Sequence, residues 1–306
     1  MSTVSPFRRR LISSIKPKAP NYLCFTALES GTFTFTMDTD VTSTFYEYIA
    51  YSKDGGNTWI RTDNVTGTQV IVTVNVIEGD EVLWKGKATN GYSTSYSRNL
   101  SQTCHFGGTA KFNVGGCIVS LIRENHFVGF EDSEIVIIRL FQDSKIVEAD
   151  KNLLPCKAFN SYNRHYENTF INCNELISPP DLPSTKLSTA SYNGTFFGCS
   201  KLVNAPELPA TTLSMLCYYN LFYRTKVNYV KMLGKTIGAQ SLIGWMTSVP
   251  NVSTSIFVKH IDATWTDTGN NGVPSNWTII YYDPAVDKYY TDQTKATECD
   301  DHGNPI

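Results

Sequence analysis

Residues 166–187 read YENTFINCNELISPPDLPSTKL, and residues 192–213 read YNGTFFGCSKLVNAPELPATTL. Each matched position recurs 26 residues later, and a third, less complete copy begins at Tyr218 and has Thr225 where the cysteine stood. Internal repeats of about 20–29 residues indicate units that stack along one axis and share a hydrophobic core, as in leucine-rich-repeat solenoids. The repeat therefore predicts a mostly β chain with short helices, in which a short solenoid with capped ends presents surface to partners.

Within one unit, the sequence predicts a short strand followed by a short helix. Leu202–Ala205 has strand character and stops at Pro206, whose nitrogen cannot donate to a strand ladder. Leu213–Phe222 has the spacing of a short helix with its apolar side chains turned inward. Cys173 and Cys199 occupy the same position in two units, where we expect buried free thiols.

The sequence changes character on either side of the repeats. Thr32–Thr36 alternates threonine with phenylalanine, and Val70–Val76 alternates in the same way, which is typical of half-buried strands. Several such runs predict a small antiparallel β-sandwich or barrel. After the repeats, Trp265 and Trp277 could close an open hydrophobic end. The predicted units are a basic N-terminal arm (1–20), a β-domain (21–105), a solenoid with its N-terminal cap (106–245), a C-terminal cap (246–280) and an extended tail (281–306).

The bulk composition excludes several classes of protein. The chain has 306 residues, enough for two domains, and its formal net charge of -2 provides no general attraction to nucleic acid. No apolar run approaches the roughly 20 residues of a membrane span. We therefore expect no nucleic-acid partner and no membrane span.

The N-terminal arm is basic and has no acidic residue. It also lacks the apolar stretch of a secretion signal. Two interpretations stay open: a solvated leader, or an arm that anchors the protein on an acidic surface of a partner. The anchoring interpretation depends on five residues, namely Arg8, Arg9, Arg10, Lys16 and Lys18.

Motifs for catalysis are weak in this sequence. Ser52–Trp59 matches the Asp-box of sialidases, S-x-D-x-G-x-T-W, which is a structural hairpin turn without a catalytic role. The five histidines fall in none of the usual hydrolase or metalloprotease frames. Glu298–His302 groups potential metal ligands, and a solvated acidic tail is the simpler explanation. We therefore expect no enzymatic activity, no cofactor and no metal site.

One set of aromatic residues is a candidate binding surface. Tyr192 and Tyr218 recur at the repeat period, and Tyr219 and Tyr223 lie beside Tyr218 in the sequence. Packing in the core is one explanation of these tyrosines, and a solvent-facing platform for sugar or protein is the other. We take the four tyrosines as the candidate ligand surface.

The pattern F-x-x-C-x-x-L-x-x-[AP]-P-x-L-P-[AS]-T-x-L, found in Phe170–Leu187 and again in Phe196–Leu213, resembles BspA-like leucine-rich repeats. Tyr22–Phe35 resembles the Ig-like β-domain that precedes such repeats in structural proteins of crAss-like phages infecting Bacteroides. Surface proteins of gut Bacteroidota carry similar repeats. The two resemblances cover about residues 21–280.

The resemblance implies a non-enzymatic structural protein of a phage virion: a head fibre, a decoration protein or a tail-associated component. Its N-terminal part would attach to capsid or tail proteins, and its repeats would bind a host glycan, a host protein or another virion subunit. We expect a homo-oligomer that is made in the host cytoplasm without a signal peptide and resides in the virion. The alternative is a bacterial cell-surface adhesin, and a carbohydrate-active enzyme in the β-domain is the third hypothesis.

Overall fold

The computed structural model describes residues 22–37, 39–40, 43–44, 46–63, 69–88, 104–124, 136–159 and 163–306. The arm lies outside them, and with it Arg8, Arg9, Arg10, Lys16 and Lys18. Within the described residues the chain is mostly β and its strands form several sheets, which confirms the predicted class at that level. The helix α1 (Ser120–Arg123) spans a single turn.

The strands of the N-terminal region form a larger and a smaller sheet. They are β1 (Leu23–Ala27), β2 (Gly31–Met37), β3 (Thr39–Asp40), β4 (Ser43–Thr44), β5 (Tyr46–Ser52), β6 (Ile60–Asp63), β7 (Val70–Val76), β8 (Glu81–Ala88), β9 (His105–Gly108), β10 (Phe112–Gly115) and β11 (Ile146–Ala149). The larger sheet has the order β11-β10-β1-β8-β5-β6, and the smaller has the order β7-β2-β9. Strand pairs are antiparallel, except that β10 and β11 run parallel. β3 and β4 pair with each other.

Side chains from the two sheets share one core. In β7 the valines Val72, Val74 and Val76 are buried while the residues between them are exposed, as the alternation predicts. Phe25 of the larger sheet contacts Phe33 of the smaller sheet, with ring centroids 5.5 Å apart. The fully buried side chains of this core are largely aromatic, which explains the alternating phenylalanines in the sequence.

The N-terminal sheets continue past residue 105, where the sequence places the end of the β-domain. Strand β9 pairs with β2, and strand β10 pairs with β1. Their rings pack on Phe25, Phe106 at 4.6 Å and Phe112 at 4.4 Å between centroids. Both strands are short and end in glycine, so their alternation is weak in the sequence. Gly108 has a φ of 121°, and a Cβ there would lie 2.1 Å from the carbonyl oxygen of Thr32. Only glycine fits this close approach of two backbones.

A ribbon of turns replaces the helix predicted for Leu213–Phe222. Every fourth residue of the ribbon has a positive φ, as at Asn168 (54°), Asn172 (58°), Gly194 (58°) and Gly198 (74°). A helix requires consecutive negative φ values, so these left-handed residues interrupt it at every turn. Asparagine and glycine adopt this conformation most readily, and both recur at these positions beside residues such as Ala190 and Leu216.

Backbone amides of the ribbon donate alternately between coils and within a coil. The amide of Phe170 donates to the carbonyl of Thr195 (2.9 Å), and the amide of Phe196 donates to the carbonyl of Leu221 (3.1 Å). The amide of Cys173 donates back to Phe170 within its own coil (3.1 Å). Each coil is therefore bonded to the next at a fixed register, and equivalent side chains form columns.

A column of phenylalanine rings runs through the core. The ring centroids are 5.2 Å apart for Phe141 and Phe170, 5.5 Å for Phe170 and Phe196, and 6.0 Å for Phe196 and Phe222. Phe106 of the N-terminal region stacks on Phe141 at 5.7 Å. The N-terminal sheets and the coils therefore share one continuous hydrophobic core. Each buried ring stabilises the fold by about 1.5–3 kcal/mol relative to an exposed one.

Residues 281–306 are folded into a sheet and are not the extended tail that their polar composition predicts. The strands β12 (Tyr229–Met232), β13 (Ile256–His260) and β14 (Thr278–Asp283) run parallel, and β15 (Lys288–Tyr290) and β16 (Glu298–Cys299) continue the sheet antiparallel. The Nζ atom of Lys231 lies 3.7 Å from the ring centroid of Tyr282, which in turn is 4.8 Å from that of Tyr289. Strands β15 and β16 have only three and two residues, so neither is long enough to show an alternating pattern in the sequence.

Candidate functional site

Two of the four tyrosines predicted as a ligand surface are buried. Tyr192 and Tyr218 are fully buried, and their rings stack 6.1 Å apart in a column that also contains Tyr166. Their amides donate to the next coil as those of the phenylalanines do, and their side chains point into the same core. The ligand-surface hypothesis is wrong for these two residues. Tyr219 and Tyr223 are half-exposed on the outer side of the coils and stay candidates.

The thiols and the hydroxyls of the buried tyrosines lie in the core of the coils, away from water. Burial raises the pKa of Cys173 and that of Cys217 to about 12, and it raises the pKa of Tyr218 well above its usual value. The Cys173 thiol donates to the carbonyl of Phe141 in the preceding coil at 2.9 Å. The eight cysteines are free, and those predicted to be buried, Cys173 and Cys199, are fully buried.

The outer side of the ribbon presents a regular array of side chains. Outward positions follow one another every four residues, which places Met215, Tyr219 and Tyr223 along one coil. The hydrogen-bond register places Phe197 of the preceding coil beside Tyr223, and Ile243 of the following coil beside Tyr219. The rings of Phe197 and Tyr223 stack at 4.6 Å with an angle of 7° between their planes. We call these five residues the apolar patch.

The apolar patch faces solvent and has one cation at its rim. Met215 is 46% exposed, and the other four residues are half-buried. The guanidinium carbon of Arg224 lies 5.2 Å from the ring centroid of Tyr223, and its side chain is exposed. In the part of the chain that the structure describes, no carboxylate pairs with Arg224. Contiguous apolar residues that are partly exposed to solvent are typical of contact surfaces.

Glycines keep the surface beside the apolar patch flat. A Cβ at Gly194 would lie 2.1 Å from Oδ1 of Asn168, and one at Gly198 would lie 2.4 Å from Oδ1 of Asn172. Each asparagine therefore occupies the space that a side chain in the next coil would need. Phe197 lies between the two glycines and is the outward side chain of that coil that stacks on Tyr223.

The Asp-box hairpin has the structural role that the sequence predicts. The Asp54 carboxylate accepts hydrogen bonds from the Thr58 hydroxyl (2.6 Å), the Thr58 amide (2.9 Å) and the Ser52 hydroxyl (2.7 Å). The hydrogen bonds from Thr58 contribute most to lowering the Asp54 pKa below its usual range. The indole nitrogen of Trp59 donates to the carbonyl of Gly56 at 3.1 Å. These hydrogen bonds all lie within the loop and hold its conformation.

The acidic residues near the C-terminus also hold a turn. The Asp300 carboxylate accepts hydrogen bonds from the amides of His302 (2.9 Å) and Asn304 (2.8 Å). Asp301 Oδ1 lies 2.7 Å from Nδ1 of His302. The three side chains 300–302 come close enough to share a cation, but they are largely exposed and the turn accounts for the position of Asp300. The structure thus offers a structural explanation for this predicted cluster.

Comparison with family models, with curated proteins and with solved structures finds no match to this chain. Among the described residues, no helix is long and apolar enough to cross a membrane. Sequence reasoning missed Phe197, Met215 and Ile243 as surface residues. A signal exists for the outward orientation of Phe197 and Ile243, since each precedes a glycine with positive φ, Gly198 and Gly244. Met215 precedes Leu216 and has no such signal.

Proposed function

We propose that the chain is a non-enzymatic structural protein of a phage virion, built from an Ig-like β-sandwich and a BspA-like leucine-rich-repeat solenoid. The stacking of Phe170, Phe196 and Phe222 at the repeat period supports the solenoid. The contact of Phe25 with Phe33 across the two N-terminal sheets supports the sandwich. The assignment to a virion rests on the sequence resemblance of both parts.

The apolar patch is the observation that carries the binding role. Tyrosine, phenylalanine, methionine and arginine are enriched in the cores of protein interfaces, and lysine, aspartate and glutamate are depleted there. Tyr219 and Tyr223 lie on coils whose backbones are hydrogen-bonded to their neighbours, for example through the amide of Gly194, which donates to the carbonyl of Tyr219 at 2.8 Å. A preordered surface loses little conformational entropy on binding.

The geometry favours a protein partner over a glycan. Sugars stack their C–H groups on the faces of aromatic rings, but Phe197 and Tyr223 cover one face of each other. Arg224 lies against the Tyr223 ring as well. The ring edges and the flexible Met215 suit an apolar protein surface, and Arg224 suits a carboxylate at the rim of that surface. In a virion, this partner is another subunit.

The basic arm completes the proposal. Arg8, Arg9, Arg10, Lys16 and Lys18 would anchor the chain on an acidic surface of the head or tail, because a cluster of like charges attracts a surface of opposite charge. The apolar patch would then contact a second subunit at a distance from the anchor.

Quantitative mass spectrometry of purified particles tests the proposal. We expect the wild-type chain at a fixed copy number per particle, and lysine-directed cross-links to another subunit from the exposed Lys226, three residues after Tyr223 in the sequence. Met215→Ser with Tyr219→Ser should remove those cross-links. Ile177→Ser is the matched control, because Ile177 is 43% exposed but lies outside the apolar patch.

The outcomes of that experiment, and of the same measurement on a variant of the arm, each test one part of the proposal. Absence of the chain from particles, or its presence on the bacterial surface, would overturn the virion assignment in favour of an adhesin. Unchanged cross-links in the double variant would overturn the role of the apolar patch. Normal incorporation of a variant with Arg8, Arg9 and Arg10 all changed to serine would contradict anchoring by the arm.

A further inference from the structure

Strand β7 directs part of its backbone away from its own sheet. It is the terminal strand of the order β7-β2-β9. Thr32 of β2 lies opposite Asn75, and the Thr32 carbonyl accepts the amides of Thr109 and Ala110 on the far side of β2 (3.0 and 3.2 Å). The polar groups of Asn75 therefore point outward, where its carbonyl accepts a hydrogen bond from Nζ of Lys53 (2.9 Å).

Two further residues of β7 share this orientation. Backbone polar groups alternate with a period of two along a strand, so the amides and carbonyls of Ile71 and Thr73 also point away from β2. Within the described residues, no donor or acceptor contacts them. The side chains of both residues are exposed, that of Ile71 by 55%. This edge therefore has two amides and two carbonyls free to pair.

Three other described strand edges, those of β6, β9 and β16, are protected. β6 carries Arg61 and Asp63, which form an ion pair of 2.6 Å. The Phe106 amide of β9 donates to the carbonyl of Leu140 (2.7 Å), so the outer side of β9 is covered. β16 is two residues long and begins with Glu298. In contrast, residues 69–77 contain no charge, no glycine and no proline. Uncharged, regular edges of this length pair readily with another strand.

We propose that β7 pairs antiparallel with β7 of a second copy of this chain, about a two-fold axis at Val72. In this register Ile71 of one copy forms a hydrogen-bonded pair with Thr73 of the other, and symmetry repeats the pair. The contact provides about four backbone hydrogen bonds. The proposal is independent of the partner of the apolar patch, because β7 lies in the N-terminal sheets.

The features of the edge identify the second copy as the occupant. An uncharged edge has no charge pattern with which to select a different strand, whereas pairing with itself brings no like charges together. A threonine beside a β-branched isoleucine is a favourable cross-strand neighbour. The register about Val72 also leaves the hydrogen bond from Lys53 to Asn75 intact, since Asn75 lies beyond the paired residues.

Light scattering and sedimentation of the full chain test this pairing. We expect the wild-type protein to have twice the mass of one chain, and Thr73→Lys to have the mass of a single chain, because each lysine would face Ile71 and the two lysines would be like-charged diagonal neighbours on one face across the axis. Ile77→Lys is the matched control: Ile77 is 65% exposed and lies outside the paired residues, so this variant should stay dimeric. Thr73→Pro provides a second disruption, because it removes an outward amide that β2 does not use.

Amide hydrogen exchange distinguishes β7 from any other interface. The amides of Ile71 and Thr73 should exchange about tenfold or more slowly in the wild-type dimer than in Thr73→Lys, while those of the β2 ladder stay the same. A wild-type protein that is monomeric at high micromolar concentration would overturn the proposal. A dimer that persists in both Thr73 variants would overturn it as well, and so would a dimer whose Ile71 and Thr73 amides exchange freely.

Discussion

The N-terminal sheets and the repeated coils bury their side chains equally well but by different means. In the sheets, each residue meets partners that are unlike it, as when Phe33 pairs with Val74 across strands β2 and β7. In the coils, each residue meets its own equivalent, as when Phe196 stacks on Phe222. The effect of a substitution in a sheet therefore depends on neighbours that occur at that position alone. The effect of a substitution in a coil depends on the equivalent residues of the coil before and the coil after.

The difference predicts that charge in the coil core has the largest effect on stability. Leu202 is fully buried, so Leu202→Asp places a carboxylate in the shared core and should lower the free energy of unfolding by about 4 kcal/mol or more. Val203 is 39% exposed, and Val203→Asp should cost about 0.5 kcal/mol or less. Urea unfolding followed by circular dichroism gives both values. Loss of structure limited to one coil in Leu202→Asp would contradict a shared core.

Glycine substitutions sharpen the comparison, because both regions have glycines with positive φ. Gly194→Ala should lower the free energy of unfolding by about 2–3 kcal/mol, since the new Cβ meets Oδ1 of Asn168 in the preceding coil. Gly79→Ala in the N-terminal region should cost only about 1 kcal/mol, because no atom lies within 4 Å of the new Cβ.

A double-mutant cycle isolates the contact between coils. Asn168→Gly should recover much of the stability lost in Gly194→Ala, since it removes the clashing side chain. Strict additivity of the two changes in thermal unfolding would show that the asparagine and the glycine do not meet.

Thiol reactivity compares the two regions without any mutation. Cys24 and Cys117 of the N-terminal region are half-buried, whereas the other six cysteines are buried. Burial raises the pKa of Cys173 to about 12 and that of Cys199 well above its usual value, so little thiolate forms in the coils near neutral pH. Under native conditions we expect Cys24 to react first with a disulfide reagent and Cys117 more slowly. Fast labelling of Cys173 or Cys199 would show that the coils open.

The Asp-box hairpin provides the smallest predicted effect. The Asp54 pKa is lowered in the folded state, mainly by the hydrogen bonds from Thr58, so its contribution is complete above the unfolded pKa and disappears as the pH falls through the folded pKa. Asp54→Asn should therefore lower the melting temperature slightly at neutral pH, and the gap to wild type should narrow in strong acid. A difference in melting temperature that widens on acidification would contradict the lowered pKa of Asp54.

The sequence predicted the columns better than it predicted the local backbone. The 26-residue period places Phe170 above Phe196 whatever conformation connects them, so the stacking could be predicted from spacing alone. The helix of Leu213–Phe222 was wrong because apolar spacing of three and four residues also fits a ribbon of turns. The left-handed φ of Asn220 (53°) decides between the two, and one asparagine in a sequence does not reveal its φ.

The candidate site was predicted only in part for the same reason. Inward and outward tyrosines are adjacent in the sequence, and the turn ribbon, not the repeat period, determines that Tyr218 is buried while Tyr219 is half-exposed. Met215 and Ile243 join the apolar patch through the register between coils, which requires the structure. The fold of residues 281–306 depends on contacts such as Lys231 with Tyr282, which are too distant in the sequence to leave a local pattern.

Nuclear Overhauser effects between labelled phenylalanine rings test the central claim most directly, because they report which rings are in contact in solution. Phe196 should show cross-peaks to Phe170 and to Phe222, whose ring centroids lie 5.5 and 6.0 Å away, and Phe170 should also contact Phe141. A spectrum in which Phe196 contacts neither of its equivalents would contradict the stacking of the coils.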